Sequence, residues 1–126
     1  MATRTATFSD IFAGRSLVCT WTGLLNGDDG NAFSEGSIYS DRSVQVLGTV
    51  GAGGTISLEG SNVTTPAVNA DWFIMNDPQG NALTFTTNTS GKAVLENVRH
   101  MRPRVTAGDG TTNLTVHLLL SKTARG

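Results

Sequence analysis

The closing apolar run of the chain, NLTVHLLLSK, sets Leu114, Val116, Leu118 and Leu120 in alternation with Thr115, His117 and Leu119. A period of two is the repeat of a β-strand, whose successive side chains point to opposite faces. One face of this segment is therefore wholly apolar and needs another layer to cover it. The same alternation recurs in short pieces along the chain. Residues 17–25 set Leu17, Cys19 and Trp21 on one face, residues 43–50 set Val44 and Val46, and residues 55–59 set Ile56 and Leu58. Between the pieces lie NGDDGN at 26–31, GAGG at 51–54, NDPQGN at 76–81 and AGDGTT at 107–112. Gly, Asn and Asp tolerate positive φ or bond their own backbone, so these clusters read as turns. Helical periodicity is almost absent. About seven or eight short strands between turns predict an all-β antiparallel sandwich of jelly-roll type. Its expected core is Leu17, Cys19, Trp21, Val44, Val46, Ile56, Leu58, Phe85, Leu114, Val116 and Leu118.

The local readings are specific enough to fail. Residues 43–50 and 55–59, joined by the glycine-rich 51–54, read as a hairpin. The glycines in GGTISLEGSN precede a strand and no helix follows, so they do not form a phosphate-binding loop. Residues 72–75 are a short apolar run headed by Trp72, 83–87 alternate, and 93–101 read as a strand with an irregular entry. Pro103, with no N–H to donate, is expected at a strand edge or bulge. The turn at 107–112 suits a tight reversal. Residues 1–14 carry no period beyond the isolated pair Phe8 and Phe12, spaced for one helical turn or a docked extended arm. The expected organisation is an N-terminal arm over 1–14, a sandwich over 15–122 and a polar tail over 123–126. At 126 residues the chain suits one domain with a core of its own.

Composition narrows the function. With 9 basic and 10 acidic residues and a net charge of -1, the chain has no basic field for nucleic acid. Cys19 has no cysteine partner, and only His100 and His117 would join it at a zinc site, so it reads as a buried apolar residue. No apolar run is long enough to span a bilayer, and MATRTATFSD lacks the apolar core of a secretory signal, so no membrane partner and no export are expected. His100 and His117 read as exposed strand histidines with no acidic partner in a recognisable motif, and no catalytic set or cofactor site is expected. Asp28 and Asp29 read as a plain turn, with calcium the minor alternative. Trp21 and Trp72 read as core residues. Arg99, Arg102 and Arg104 are either solvated edge charges or guanidinium groups for carboxylates on a neighbouring chain.

The succession DRSVQVLGTVGAGGTISLEGSN, NDPQGNALTF and RPRVTAGDGTTNLTVHLLLSK, covering residues 41–122, resembles small structural proteins of tailed bacteriophages of the capsid cement or decoration type. The resemblance implies a compact β domain, often a jelly roll, that binds the outside of the shell and ties major capsid subunits together. It implies a virion location after synthesis in the host cytoplasm, and a homo-oligomer, dimer or trimer, is expected with it. The expected interface residues are Phe8 and Phe12 on the arm with Arg99, Arg102 and Arg104 on the edge. The alternative is a carbohydrate- or receptor-binding module of a phage tail, with Trp72 or Tyr39 exposed at a groove.

Overall fold

The computed structural model describes residues 2–11, 15–34, 38–88 and 91–122. Sheet I contains β1 (Thr3–Arg4), β4 (Asp29–Gly30), β6 (Thr55–Ser61), β7 (Phe73–Ile74), β8 (Thr84–Phe85) and β10 (His100–Ala107). Sheet II contains β2 (Thr7–Ile11), β3 (Ser16–Leu24), β5 (Asp41–Thr49), β9 (Lys92–Ala93) and β11 (Asn113–Ser121). Sheet I runs β1-β4-β10-β6, with β7 and β8 both paired to β6, and sheet II runs β2-β3-β11-β5-β9. The pairings are antiparallel except β1 with β4. The chain is thus an all-β sandwich. No α-helix occurs among the described residues, and none is long and apolar enough to cross a membrane.

The period-two faces meet in the middle. Leu114, Val116, Leu118 and Leu120 of β11 are buried, with Cys19 and Trp21 on one side and Val44 and Val46 on the other. Ile56, Leu58, Met101 and Val105 of sheet I complete the core, with Met75, Leu83 and Val98 from the connecting segments. Leu17 and Phe85 are partly buried and pack against its rim. Such faces are the main source of stability, at about 25 cal/mol for each Å² of apolar surface removed from water.

The expected hairpin is not formed. β5 pairs with β11 in sheet II and β6 pairs with β10 in sheet I, so residues 50–54 carry the chain across the end of the sandwich. Crossing lets Val44 and Val46 face Ile56 and Leu58 through the core, where a hairpin would have set them side by side on one face. The turn at 107–112 likewise crosses, from β10 to β11. These two corners hold each other: the Ala52 N–H donates to Asp109 Oδ2 at 2.9 Å, and the Thr112 hydroxyl donates to the Val50 carbonyl at 2.8 Å.

Pro103 lies inside a central strand, against expectation. Met101 and Val105 donate their N–H groups to the carbonyls of Phe33 and Asp28 on one side of β10, so residue 103 would donate on that side too. There Gly30 stands opposite: a Cβ added to it would lie 2.5 Å from the Trp21 ring and 2.7 Å from Pro103 Cδ. The missing donor falls beside Gly30, whose lack of a side chain leaves room for the proline ring.

The N-terminal stretch is part of the sandwich and not a separate arm. β1 pairs with β4, β2 pairs with β3, and the link between them crosses from sheet I to sheet II. Its aperiodicity has a cause: two short edge strands in different sheets, with β2 almost wholly exposed, show no common face. Asp28 anchors it, accepting from the Ala2 N–H at 2.8 Å and Arg4 Nε at 2.9 Å. The expected strand over 93–101 is reduced to Ala93 at its start and to His100 and Met101 at its end. Between them Val94 and Val98 are buried while Glu96 accepts from the Asn76 backbone and side-chain amides, both at 2.7 Å. In the apolar run at 72–75 only Met75 is buried. The tail at 123–126 and Phe12 lie outside the described residues.

Two outcomes are expected. Gly30→Ala forces a methyl group into Trp21 and Pro103 and lowers stability by about 1–3 kcal/mol in urea titrations. Asp109 is held at about 2, below its ordinary 3.8, by the Thr111 hydroxyl and the N–H groups of Ala52 and Thr111. A folded value below the unfolded one stabilises fully above about pH 4 and is lost as pH falls through about 2. Asp109→Asn should flatten the fall in the urea midpoint across that window relative to the unmodified chain.

Candidate functional site

The alternation of β10 puts Met101 and Val105 into the core and His100, Arg102 and Arg104 on the outer face of sheet I. The same face receives Glu59 from β6, directly opposite Arg102, and Asp29 from β4, opposite Arg104. Arg102 is the centre of this group. Its Nε donates to Glu59 Oε1 at 2.9 Å, one Nη donates to Asp29 Oδ2 at 3.1 Å and the other to Asn69 Oδ1 at 3.0 Å. Trp72 covers it, with the guanidinium carbon 4.3 Å from the ring centroid. Arg104 adds a longer contact to Glu59, 3.5 Å, and Thr3 donates its hydroxyl to Asp29 at 2.7 Å.

Arg102 is only 8% exposed, and its carboxylate partners belong to its own chain. The alternation seen in the sequence was real, but the carboxylates it matches were hidden in the turn and in β6. Arg104 is half-buried and shares Glu59, while Arg99 is exposed just before the strand. The three arginines therefore do not form one outward-facing edge. Asp28 and Asp29 are buried counter-ions, Asp28 for Arg4 and Asp29 for Arg102. Burial pushes the Asp28 carboxyl up, but the N–H groups of Leu25 and Ala2 and the Arg4 guanidinium outweigh it and leave it lowered.

The residues considered for chemistry are scattered. His100 is buried rather than exposed, with Nδ1 2.8 Å from the Ser34 hydroxyl and its ring edge-on to Trp72. His117 lies in the other sheet, with Nδ1 3.0 Å from the Thr20 hydroxyl. Burial pushes the Cys19 thiol up to about 12, which removes it as a nucleophile at neutral pH. No group of three or more His, Cys, Asp or Glu side chains among the described residues is arranged to hold a metal. Trp21 is core as expected, Trp72 is half-buried over Arg102, and Tyr39 is buried beside Phe33.

The outer face of sheet II offers a different surface. The register sets Ser9, Val18, Leu119, Ser43 and Ala93 in one cross-strand row and Thr7, Thr20, His117 and Gln45 in the next, followed by Thr115 and Leu47. None of these positions carries a formal charge, in a chain where 15% of residues do. Asp41 is at the strand end. Leu119 and Leu47 are 39% and 38% exposed, and Ile11, Val18, His117, Gln45 and Leu119 line a shallow hollow of about 520 Å³. Depletion of charge with scattered apolar groups is the composition of the central part of a protein interface. Sequence reasoning passed over this face because the non-core positions of a strand read as solvent-facing. The signal was available in the absence of Lys, Arg, Asp and Glu at those positions.

No family model matches the chain, and no curated protein or solved structure matches it either. The Arg102 cluster makes its own prediction. Arg102→Met removes the shared cation and leaves Glu59 and Asp29 buried without it, which should cost about 3–5 kcal/mol in chemical denaturation.

Proposed function

We propose that this chain is a non-enzymatic virion structural protein of a tailed bacteriophage, of the capsid cement type, which binds the outside of the shell and bridges major capsid subunits. The observation that carries the reading is the uncharged, partly apolar outer face of sheet II, backed by a rigid two-sheet core. The sequence resemblance over residues 41–122 supplies the class of partner. A face of Ser, Thr, Gln and Leu on regular strands suits docking by shape and short polar contacts, and its one hydroxyl–imidazole pair, Thr20 with His117, is spent on a cross-strand contact of 3.0 Å. A carbohydrate-binding module draws less support, because Tyr39 is buried and one face of the Trp72 ring is stacked on Arg102.

A protein that binds only the assembled shell adds RT ln(1 + [L]/Kd) per site to the stability of that shell. The purified chain, added to undecorated particles of the phage that encodes it, should co-sediment with them and raise their thermal disruption temperature. Leu119→Lys places a charge in the middle of the face and should weaken binding at least about tenfold while leaving the melting of the free protein unchanged. Val63→Lys, on the exposed loop after β6, should bind as the unmodified chain does. Failure of the unmodified chain to bind particles would remove the proposal. Loss of binding in Val63→Lys alone would move the contact to sheet I.

A further inference from the structure

We propose that β2 is a self-association edge, through which two copies of this chain pair their Thr7–Ile11 strands antiparallel about a two-fold axis at Ser9. The inference is independent of the capsid reading. Among the described residues β2 is the outermost strand of sheet II and is paired along one side only, from Thr7 opposite Thr20 to Ile11 opposite Ser16. At the other edges β1, β7, β8 and β9 are each two residues long and β9 carries Lys92, while the part of β5 that β9 leaves uncovered, Gln45–Thr49, contains Gly48 at positive φ. β2 has five residues with no Lys, Pro or bulge, and of the devices by which proteins protect an open edge it carries only the single charge of Asp10. Its side chains are exposed from Thr7 to Asp10, and Phe8 is 57% exposed.

The occupant follows from self-complementarity. An antiparallel copy centred on Ser9 sets Ser9 against Ser9, Thr7 against Ile11 and Phe8 against Asp10, so no like charges stand directly opposite and the axis carries a small residue. Within one copy Asp10 is level with Leu17 and Phe8 is level with Cys19. The second copy's Phe8, standing across from Asp10, therefore reaches the mouth of a groove of about 330 Å³ lined by Phe8, Leu17, Ala32, Phe33 and Ser34. Phe8 is already the exposed end of an aromatic row, 6.0 Å from Phe33, which is 6.1 Å from Tyr39. The two-fold joins two such rows end to end and covers both exposed rings. A strand of other sequence would need an aromatic residue at the same register, which this chain supplies to itself. With a net charge of -1 per copy, long-range repulsion is negligible.

The test uses the full chain in sedimentation equilibrium from about 10 to about 500 μM, a range suited to a small interface. The unmodified chain should dimerise, and Phe8→Asp should raise the dimer dissociation constant at least about tenfold while the dilute monomer keeps the β-sheet circular dichroism of the unmodified chain. Ser9→Cys should cross-link to a covalent dimer under mild oxidation, because cross-strand Cβ atoms at the axis lie within about 5.5 Å of each other. Thr20→Cys, one strand further in, should not. Cys19 is buried and stays silent. A monomer up to the highest concentration, a dimer that survives Phe8→Asp, or a dimer in which Ser9→Cys fails to cross-link would each overturn the proposal. Should Phe8→Asp fail to fold, the Ser9→Cys result decides alone. Leu119→Lys should leave the dimer intact, so failure of capsid binding and failure of the edge are read separately.

Discussion

The indole of Trp21 is the contact on which the rest of the sandwich is registered. It rises fully buried from β3 in sheet II and lies against Gly30 and Pro103 of sheet I, where even a methyl group on residue 30 has no room. Its Nε1 donates to the Asn31 carbonyl at 3.0 Å and to Asn31 Oδ1 at 3.1 Å. That same Oδ1 accepts from the Ala6 N–H at 2.9 Å, between β1 and β2. One side chain thus fixes the sheet-to-sheet distance, the position of β4 and the crossing of the N-terminal strands. A buried tryptophan with a satisfied N–H is suited to this, since it combines a large apolar area with one directional bond.

Around that contact the charges are segregated. On sheet I, Arg102 lies among Glu59, Asp29 and Asn69 beneath Trp72, a closed group whose donors meet acceptors of the same chain. Buried ion pairs add little net stability relative to apolar packing, but removing one partner is costly, so such a group holds its strands and loop in one arrangement. It ties β4, β6 and β10 to the 3-10 turn Asn69–Asp71 without a large core on that side. The outer face of sheet II needs no such neutralisation because its strands bring no charge to it beyond Asp41 at the end of β5. One side of the sandwich pairs its charges within the chain, and the other presents a nearly uncharged surface with a shallow hollow.

Most of the fold was legible because it rests on periodicity, and what was missed rests on relations between distant residues. The alternating runs of β3, β5, β6 and β11 name the core directly, since a period of two has one structural meaning when one face is apolar. Whether β5 and β6 pair with each other or face each other across the core is not written in either run. It depends on the better partners β11 and β10, whose registers are set far along the chain. Pro103 was misplaced for the same reason: the proline ring fits inside a central strand because the residue across from it, Gly30, has no side chain, and that neighbour lies 73 positions away. The acidic pair Asp28 and Asp29 looked like turn residues because their cations, Arg4 and Arg102, lie 24 and 73 positions away. The neutral outer face was visible in the sequence, but only once the register showed which polar positions share a surface.

The neutrality of the outer face of sheet II sets the kinetics of the docking proposed for it. Without electrostatic steering, association with a large partner falls to roughly 10⁵–10⁶ M⁻¹s⁻¹ and responds little to salt. For the proposed capsid binding, tight attachment must then come from slow release, which a shell of repeated subunits provides if one dimer engages more than one site. The edge pairing proposed for β2 extends sheet II into a second copy, so the two neutral faces become parts of one continuous surface. When the first face is bound, the second meets its neighbouring site at an effective concentration of order millimolar, which can multiply the apparent affinity about 10²- to 10⁴-fold without any new contact. The gain exists only if the spacing of the two faces matches the spacing of sites on the shell. Geometry rather than charge would thus set which positions on a lattice are occupied.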